Sequence, residues 1–533
     1  MATLNDLLRS ATASYLSSLN MDALPSPSVI EQELLDKTNA AINIENVHRS
    51  GRERLAPLKT LTFGQVADVM IRLHHVVRVP AGAEATMDRD RLGIYVDGGP
   101  DEGIYVTSPD SLRSFARAYN YSLTTTEFKE LYAALMDAAP RRLLTADPDL
   151  VPVQNGVFNY KTKELQPFSP DFVFTSKIET AYVWDPPNPV ITMPDGEDWD
   201  VESWMADLSD DPDVVSLLWM VISAVLRPFV SWGKLILPYS EKGNNGKGTY
   251  VQLIRNLLGH GRSASVPLAD FGKDFQLEPL KNAMAVIVDE NDIGMFLDQA
   301  GSLKAVVTHD AFPLNRKGLR AVSMRFYGLV IECINEMPRF RDKSDSMYRR
   351  QLPIPFLKNF KDIERRYIKD DYIARQDVRE YVLWKALQGS FYELSQPKAC
   401  LDLLEEMKLR NDPIRESWKE FEDQFVWDLL PLSFLYDLYL AWFGRTNPQG
   451  SPVGRNAFTS SIIAITDEEA KGHFHCLNKE TSHRHNGTKM AATELLIAEY
   501  DLTGWTDRNY TGKDRHKRSQ PELKDKYRGL LRQ

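Results

Sequence analysis

Apolar residues recur along the chain at spacings that predict distinct elements. In Val29–Ala41, Leu112–Ala118 and Thr126–Ala138 they fall at the intervals of a helix with one buried face. Leu92–Val96 and Gly103–Val106 read as strands around a turn at Asp97–Asp101. Val151–Leu165 reads as strand, turn and strand about Asn155-Gly156. Between residues 200 and 360 the two patterns alternate. A helix is expected over Trp204–Pro228, then a short buried strand at Leu235–Leu237, then a helix over Lys247–Leu258 closed by Gly259. Continuous apolar runs at Ala285–Val288 and Leu329–Ile334 predict two more buried strands. Such alternation argues for an α/β core. Residues 1–57 look mainly helical and residues 365–425 charged and helical, while the last hundred or so suit a small winged-helix unit.

Composition narrows the picture without changing it. The 533 residues predict about three or four domains. With 43% hydrophobic and 26% charged residues, the chain can build several cores and is not a disordered tract. Runs such as Leu217–Leu226 fall well short of the ~18–20 residues of a membrane span, and Met1–Met21 lacks the pattern of a signal peptide. Cys333, Cys400 and Cys476 are too few and scattered for a disulfide framework. The expectation is a soluble, intracellular, multidomain protein. Its net charge of −10 excludes a generally basic nucleic-acid coat, though not a local basic channel. The Pro-, Asp- and Gly-rich stretch Trp184–Asp198 is the best linker candidate.

The most informative segment runs from Leu235 to Tyr250. A buried strand feeds the loop Glu241-Lys242-Gly243-Asn244-Asn245-Gly246, which feeds a helix opening Lys247-Gly248-Thr249. This is the setting of a phosphate loop, in which backbone N–H groups and the positive helix end cradle a polyphosphate and Lys247 reaches the β- and γ-phosphates. Glu241 stands where the motif's first glycine belongs. Gly248 stands where the Mg2+-binding hydroxyl belongs, with Thr249 one residue later. The competing reading is a turn with a surface lysine.

About forty residues on, an apolar strand ends in Asp289-Glu290-Asn291. Asp289 is placed to hold Mg2+ and Glu290 to activate water as general base. The next apolar strand ends at Asn335, suited to orient that water or touch the γ-phosphate. Arg349-Arg350 precede a Pro/Ile/Phe run and suit an arginine finger, often supplied to a neighbouring subunit. Between acids and asparagine, Asn315–Gly318 reads as a hairpin tip, and Arg316, Lys317, Arg320 and Arg325 follow one another without an acid. A basic tip can track a phosphate backbone. A solvated turn would look similar.

The order Gly-Asn-Asn-Gly-Lys-Gly-Thr, Val-Asp-Glu-Asn, Thr-His-Asp with Asn-Arg-Lys-Gly, Ile-Asn-Glu-Met-Pro, then Tyr-Arg-Arg before Pro-Ile-Pro-Phe resembles a superfamily 3 helicase. More narrowly it resembles the helicase part of phage, plasmid and mobile-island primase-helicases, related to the poxvirus primase-helicase. Val153–Tyr160 resembles the strand pair that precedes the motor in that family. Leu435–Tyr439, with Trp442 and Gly454-Arg455-Asn456, resembles the C-terminal domain of phage-type members. The resemblance spans roughly residues 110–530. It implies an AAA+-like P-loop ATPase core, flanked by a mainly helical or mixed N-terminal region and a C-terminal winged-helix-like domain. The boundaries expected are 1–110, a pre-motor domain over 111–195, the motor over 196–365, a helical connector over 366–425 and the C-terminal domain over 426–533.

By resemblance, the nucleotide-binding set is Gly243, Asn244, Asn245, Gly246, Lys247, Gly248, Thr249 and Tyr250. Thr249 and Asp289 would hold Mg2+, and Glu290 would activate water. Asn335 would be the sensor, Arg349 or Arg350 the finger, and Arg316, Lys317 and Arg320 the DNA-touching tip. The cofactors implied are ATP and Mg2+. The partners are single- and double-stranded DNA, further copies of the chain in a hexameric ring, and other replication proteins such as a separate primase. The place of work implied is the bacterial host cytoplasm. The leading expectation is an ATP-driven DNA helicase serving a phage or mobile element. The alternatives are a P-loop ATPase acting as initiator or loader without processive unwinding, a primase-helicase, and a DNA-binding structural protein with a decayed site. A primase would need a strand-borne acidic pair, for which Asp88-Arg89-Asp90 is the tempting candidate.

Two further features stand apart. Residues 508–533 hold nine cations against three acids, which reads either as a nucleic-acid surface or as a solvated basic tail. His473, His475, Cys476, His483 and His485 cluster, but their spacing fits no standard zinc finger, and a His-rich loop is the plainer reading.

Overall fold

The computed structural model describes residues 2–21, 23–80, 90–292, 296–297, 299–316, 319–361, 365–446, 451–468, 474–475, 484–507, 509–514, 518–519, 521 and 523–532. They form two compact units. One holds residues 1–342 and 349–401, the other residues 343–348 and 402–533.

In the first unit the N-terminal helices Leu4–Ser18, Pro27–Asn46 and Phe63–Leu73 share a core with helices Pro109–Arg117 and Thr125–Ala138. Thr3, Thr62 and Thr124 close reciprocal capping boxes at three helix starts, which fixes where each begins. The predicted strand pair about Asn155-Gly156 is present as Leu150–Val153 and Gly156–Asn159, extended by Glu164–Gln166. The expected linker is instead ordered: Val190–Thr192 and Asp198–Asp200 form a hairpin whose Ile191 and Trp199 are buried in the main core. The helix expected over Trp204–Pro228 is two, Val201–Asp207 and Pro212–Leu226, because Asp211 and Pro212 make a new cap and first position.

The centre of this unit is a five-stranded parallel sheet. Its members in chain order are β1 (Leu235–Tyr239), β2 (Ser263–Ala264), β3 (Ala285–Val288), β4 (Leu329–Glu332) and β5 (Gln351–Pro355), with α1 (Lys247–Leu258) following β1. The spatial order is β2-β3-β4-β1-β5, with every pairing parallel. β1, β3, β4 and β5 are buried along their whole length, as expected of strands covered on both faces. Parallel pairing also sets all their C-terminal ends on one edge. Asp90, from the tempting acidic pair, is buried and bound by Arg141 at 2.9 Å. Asp88 and Arg89 lie outside the described residues.

The second unit packs helices Pro413–Phe421, Leu432–Thr446 and Arg455–Glu468 around an aromatic core that includes Trp427, Phe434 and Trp505. Lys526–Arg532 is not a solvated tail. It is a strand between Leu429–Pro431 and Phe474–His475, and it also pairs with Arg484–Asn486. His473, Cys476 and His483 lie outside the described residues, and no group of three metal-ligating side chains occurs among the described ones. No described helix is long and apolar enough to cross a membrane.

Candidate functional site

The loop after β1 owes its shape to two residues with positive φ, Asn244 at 56° and Gly246 at 86°. Gly246 is the residue immediately before α1, and a β-carbon there would stand 2.6 Å from Leu208 Cδ2. A side chain there is strained by the conformation and would have to displace the Leu208 side chain. Asn245 braces the turn by accepting from the Lys247 amide at 3.1 Å. The Asn244 carbonyl accepts from the Phe360 amide at 2.7 Å, pinning the segment after β5 onto the loop.

Lys247 opens α1 and is buried. Its ammonium donates to Asn335 Oδ1 at 2.6 Å, to the Ile334 carbonyl at 2.8 Å and, more weakly, to the Ser240 carbonyl at 3.4 Å. Burial lowers its pKa, while Cys333 and Glu290 push it the other way. The lysine and the strand-end asparagine that the sequence singles out 88 positions apart therefore touch.

β4 lies between β1 and β3, so Asn335 stands between Lys247 and the acid pair. The Cys333 amide donates to the Val288 carbonyl at 2.8 Å, which sets Asp289 beside the end of β4. At ~4.8 Å per strand, the ends of β1 and β3 are about 10 Å apart. Asp289 and Glu290 are exposed at that edge. Asp289 is held by Arg255 of α1, whose Nη1 lies 2.5 Å from Oδ1 and whose Nη2 donates to the Ile287 carbonyl at 2.9 Å.

Behind the acids is a group that sequence reasoning missed. Asn291 donates to Glu332 at 2.9 Å and to the Cys333 carbonyl at 3.1 Å, and accepts from the Leu268 amide at 3.0 Å. Glu332 is fully buried, and burial drives its pKa well above the ordinary carboxyl range. Its bond to Asn291 ties the ends of β3 and β4 together.

Gly248 and Thr249 precede the first intrahelical bond of α1, which runs from the Tyr250 amide to Gly246, so their amides face outward from the helix start. Tyr250 departs from the expected set. Its side chain is wholly buried, its hydroxyl donates to the Leu218 carbonyl at 2.8 Å, and its amide is spent within the helix. It anchors α1 and does not face a ligand. A β-carbon on Gly248 would stand 3.4 Å from Lys369 Nζ, ordinary contact with a flexible side chain, so this ammonium lies over the helix start and space does not explain the glycine.

Arg349 and Arg350 are at the other edge of the sheet. The Arg350 carbonyl accepts from the Leu235 amide at 2.6 Å, at the beginning of β1. The five-residue length of β1, about 16 Å, separates them from the loop of their own chain. Arg349 is exposed and Arg350 half-buried. The predicted basic hairpin exists as antiparallel strands Phe312–Arg316 and Leu319–Met324, anchored by buried Phe312 and Leu314. Arg316 and Arg320 lie on it, and Lys317 falls outside the described residues.

Two family models match parts of the chain. Residues 239–350, from the end of β1 to the arginine pair, match one described as "Family of unknown function (DUF5906)". Residues 101–209 match one described as "D5 N terminal like", which falls on the stretch ahead of the sheet. No curated protein matches. Among solved structures, the chain is similar to "The A form apo structure of NrS-1 C terminal region-CTR", with 13% identity and a TM-score of 0.44 over 82% of this chain and 90% of that one. It is also similar to "The apo structure of NrS-1 C terminal region (305-718)", with 14% identity and a TM-score of 0.42 over 76% and 89%.

Proposed function

We propose that the chain is an ATP-dependent DNA helicase of the superfamily 3 type, acting as a ring in replication of a phage or mobile element, in the host cytoplasm. One observation carries the reading. A glycine-rich helix start, its lysine, a strand-end acid pair and a strand-end asparagine converge on one edge of a parallel sheet, with the Lys247–Asn335 contact at 2.6 Å joining two of them. The D5 N terminal like region ahead of the sheet adds support.

In this reading the amides from Gly243 to Thr249 cradle the phosphates of ATP. Lys247 exchanges its contacts with Asn335 and the backbone for phosphate oxygens, so Asn335 registers whether the loop is filled. Mg2+ would be held by the hard oxygen donors present, the Asp289 carboxylate once released from Arg255 and the Thr249 hydroxyl. When bound, it would neutralise charge on the phosphoryl oxygens. Glu290 takes the proton of the attacking water. The arginine finger comes from a neighbouring copy, and the basic hairpin with Arg316, Lys317 and Arg320 engages DNA.

Turnover of ATP with and without single-stranded DNA tests the reading. Hydrolysis stimulated by DNA, with displacement of an annealed strand, is expected. Lys247→Ala should abolish turnover in a chain that still folds. Stimulated hydrolysis without strand displacement would point instead to an initiator or loader. Persistent turnover in Lys247→Ala would reject the site.

A further inference from the structure

The ladder between β3 and β4 ends where Val288 pairs with Glu332. Asp289, Glu290 and Asn291 lie past that pair, so side chains rather than the regular sheet bonds hold this stretch. Arg255 holds Asp289. Asn291 turns inward and is 5% exposed, while Glu290 beside it is exposed. Both N–H groups of the Asn291 amide are used, on Glu332 Oε2 at 2.9 Å and on the Cys333 carbonyl at 3.1 Å, and its oxygen accepts from the Leu268 amide at 3.0 Å. Three segments meet on this one amide: the turn Leu268–Asp270 that follows β2, the end of β3 and the end of β4.

The knot extends to the phosphate loop. Asn291 grips the Cys333 carbonyl. The next carbonyl, of Ile334, accepts from Lys247 Nζ at 2.8 Å, and the next side chain, Asn335, accepts from it at 2.6 Å. The Ile334 amide donates to the Pro238 carbonyl of β1 at 3.0 Å. Residues 333–335 are thus held by the lysine on one side and by the neighbour of the acid pair on the other. Pairing the polar atoms of a buried asparagine is ordinary. What gives this pairing a consequence is its place: it fixes the backbone one residue from the expected base, on the same turn that Lys247 grips. A general base must stand within hydrogen-bond reach of its water, where small displacements are expensive.

We infer that Asn291 is a positioning residue, which holds Glu290 in register with Lys247 by clamping the 333–335 turn onto the end of β3. It acts through Glu290 and touches neither nucleotide nor water. The inference rests on the reading above, in which Glu290 takes the proton of the attacking water.

Single-turnover hydrolysis of Mg-ATP and calorimetric binding of Mg-ADP, both on the full chain, test it. Asn291→Ala should slow hydrolysis about 10- to 100-fold, the cost of a misplaced base. Its affinity for Mg-ADP should stay within about twofold of the parent, because the phosphate loop is untouched. On a Glu290→Gln background, Asn291→Ala should slow hydrolysis no further, since no base is left to position. Asn291→Asp keeps the bond from Leu268 and loses both donations, and it serves if Asn291→Ala does not fold. It too should slow hydrolysis, and Glu332→Gln added to it should recover part of the rate by supplying a donor from the opposite side. An unchanged rate in Asn291→Ala, an equal loss of Mg-ADP affinity, a further loss on the Glu290→Gln background, or no recovery in the exchanged pair overturns the positioning role while leaving the phosphate loop standing. Full hydrolysis by Glu290→Gln alone overturns the assignment of the base, and the inference with it.

Discussion

Glu332 shows how a single side chain can set the behaviour of the acid-bearing edge. It is buried and bonded to Asn291, and one of its oxygens, Oε1, has no partner. Because its folded pKa is raised, the folded chain binds a proton that the unfolded chain releases near pH 4.5. The stabilising contribution is therefore full below that value and is lost as pH rises toward the folded pKa. Glu332→Gln keeps an acceptor for Asn291 and removes the titration. The variant should melt higher than the parent at pH 8, and the gap should narrow at pH 5. A gap independent of pH would mean that Glu332 is not carrying a proton. Nothing in the sequence marks Glu332, because its character comes from the Asn291 side chain 41 positions earlier and from complete burial. Arg255 and Lys369 were unreadable for the same reason. Each finds its place only when separate segments close on each other.

At the scale of elements, legibility follows from how much of an element's pattern is local. The span of α1 is readable to the residue, since a loop glycine opens it and Gly259 closes it. The buried strands β1, β3 and β4 are readable as unbroken apolar runs between turn signals. The Val190–Asp200 hairpin is not, because three-residue strands among Pro, Asp and Gly carry no period, and only Ile191, Met193 and Trp199 face the core. Lys526–Arg532 is hidden by its charge: Arg532 is absorbed by Asp428 at 3.3 Å and by the face of Phe474. Gly259 offers a test of one junction. Its φ is 99°, and a β-carbon would stand 2.3 Å from the Glu179 carboxyl, which also accepts from the His260 amide. Gly259→Ala should cost about 1–3 kcal/mol in strain and displaced contacts, lowering the thermal midpoint. Gly261 shares a positive φ, 72°, but has open space around it. Gly261→Ala should therefore cost less, and equal losses at the two sites would assign the Gly259 effect to backbone conformation alone.

For the molecule as a whole, the parallel sheet imposes a geometric limit. Lys247 and the acids sit at the C-terminal edge, Arg349 and Arg350 at the N-terminal edge, and β1 holds them about 16 Å apart. An extended arginine side chain does not cover that span, so an arginine finger from this pair must serve another copy's site. Arg349 is exposed, whereas the Arg350 Nε is buried, which makes Arg349 the better placed of the two. Arg349→Ala should then bind Mg-ADP like the parent, because the binding site of its own chain is untouched, yet lose hydrolysis by roughly 10³-fold or more, the worth of a finger. Lys247→Ala should lose hydrolysis for the opposite reason, keeping its arginine and losing its loop. Mixing the two inactive variants in equal amounts should restore part of the turnover, because some junctions then pair an intact Lys247 with an intact Arg349. Recovery should rise with protein concentration as junctions form, and should be absent when both substitutions are carried on one chain. If Arg349→Ala alone hydrolyses normally, or if the mixture stays silent although subunits exchange, the arginine is structural and the site does not need a second copy.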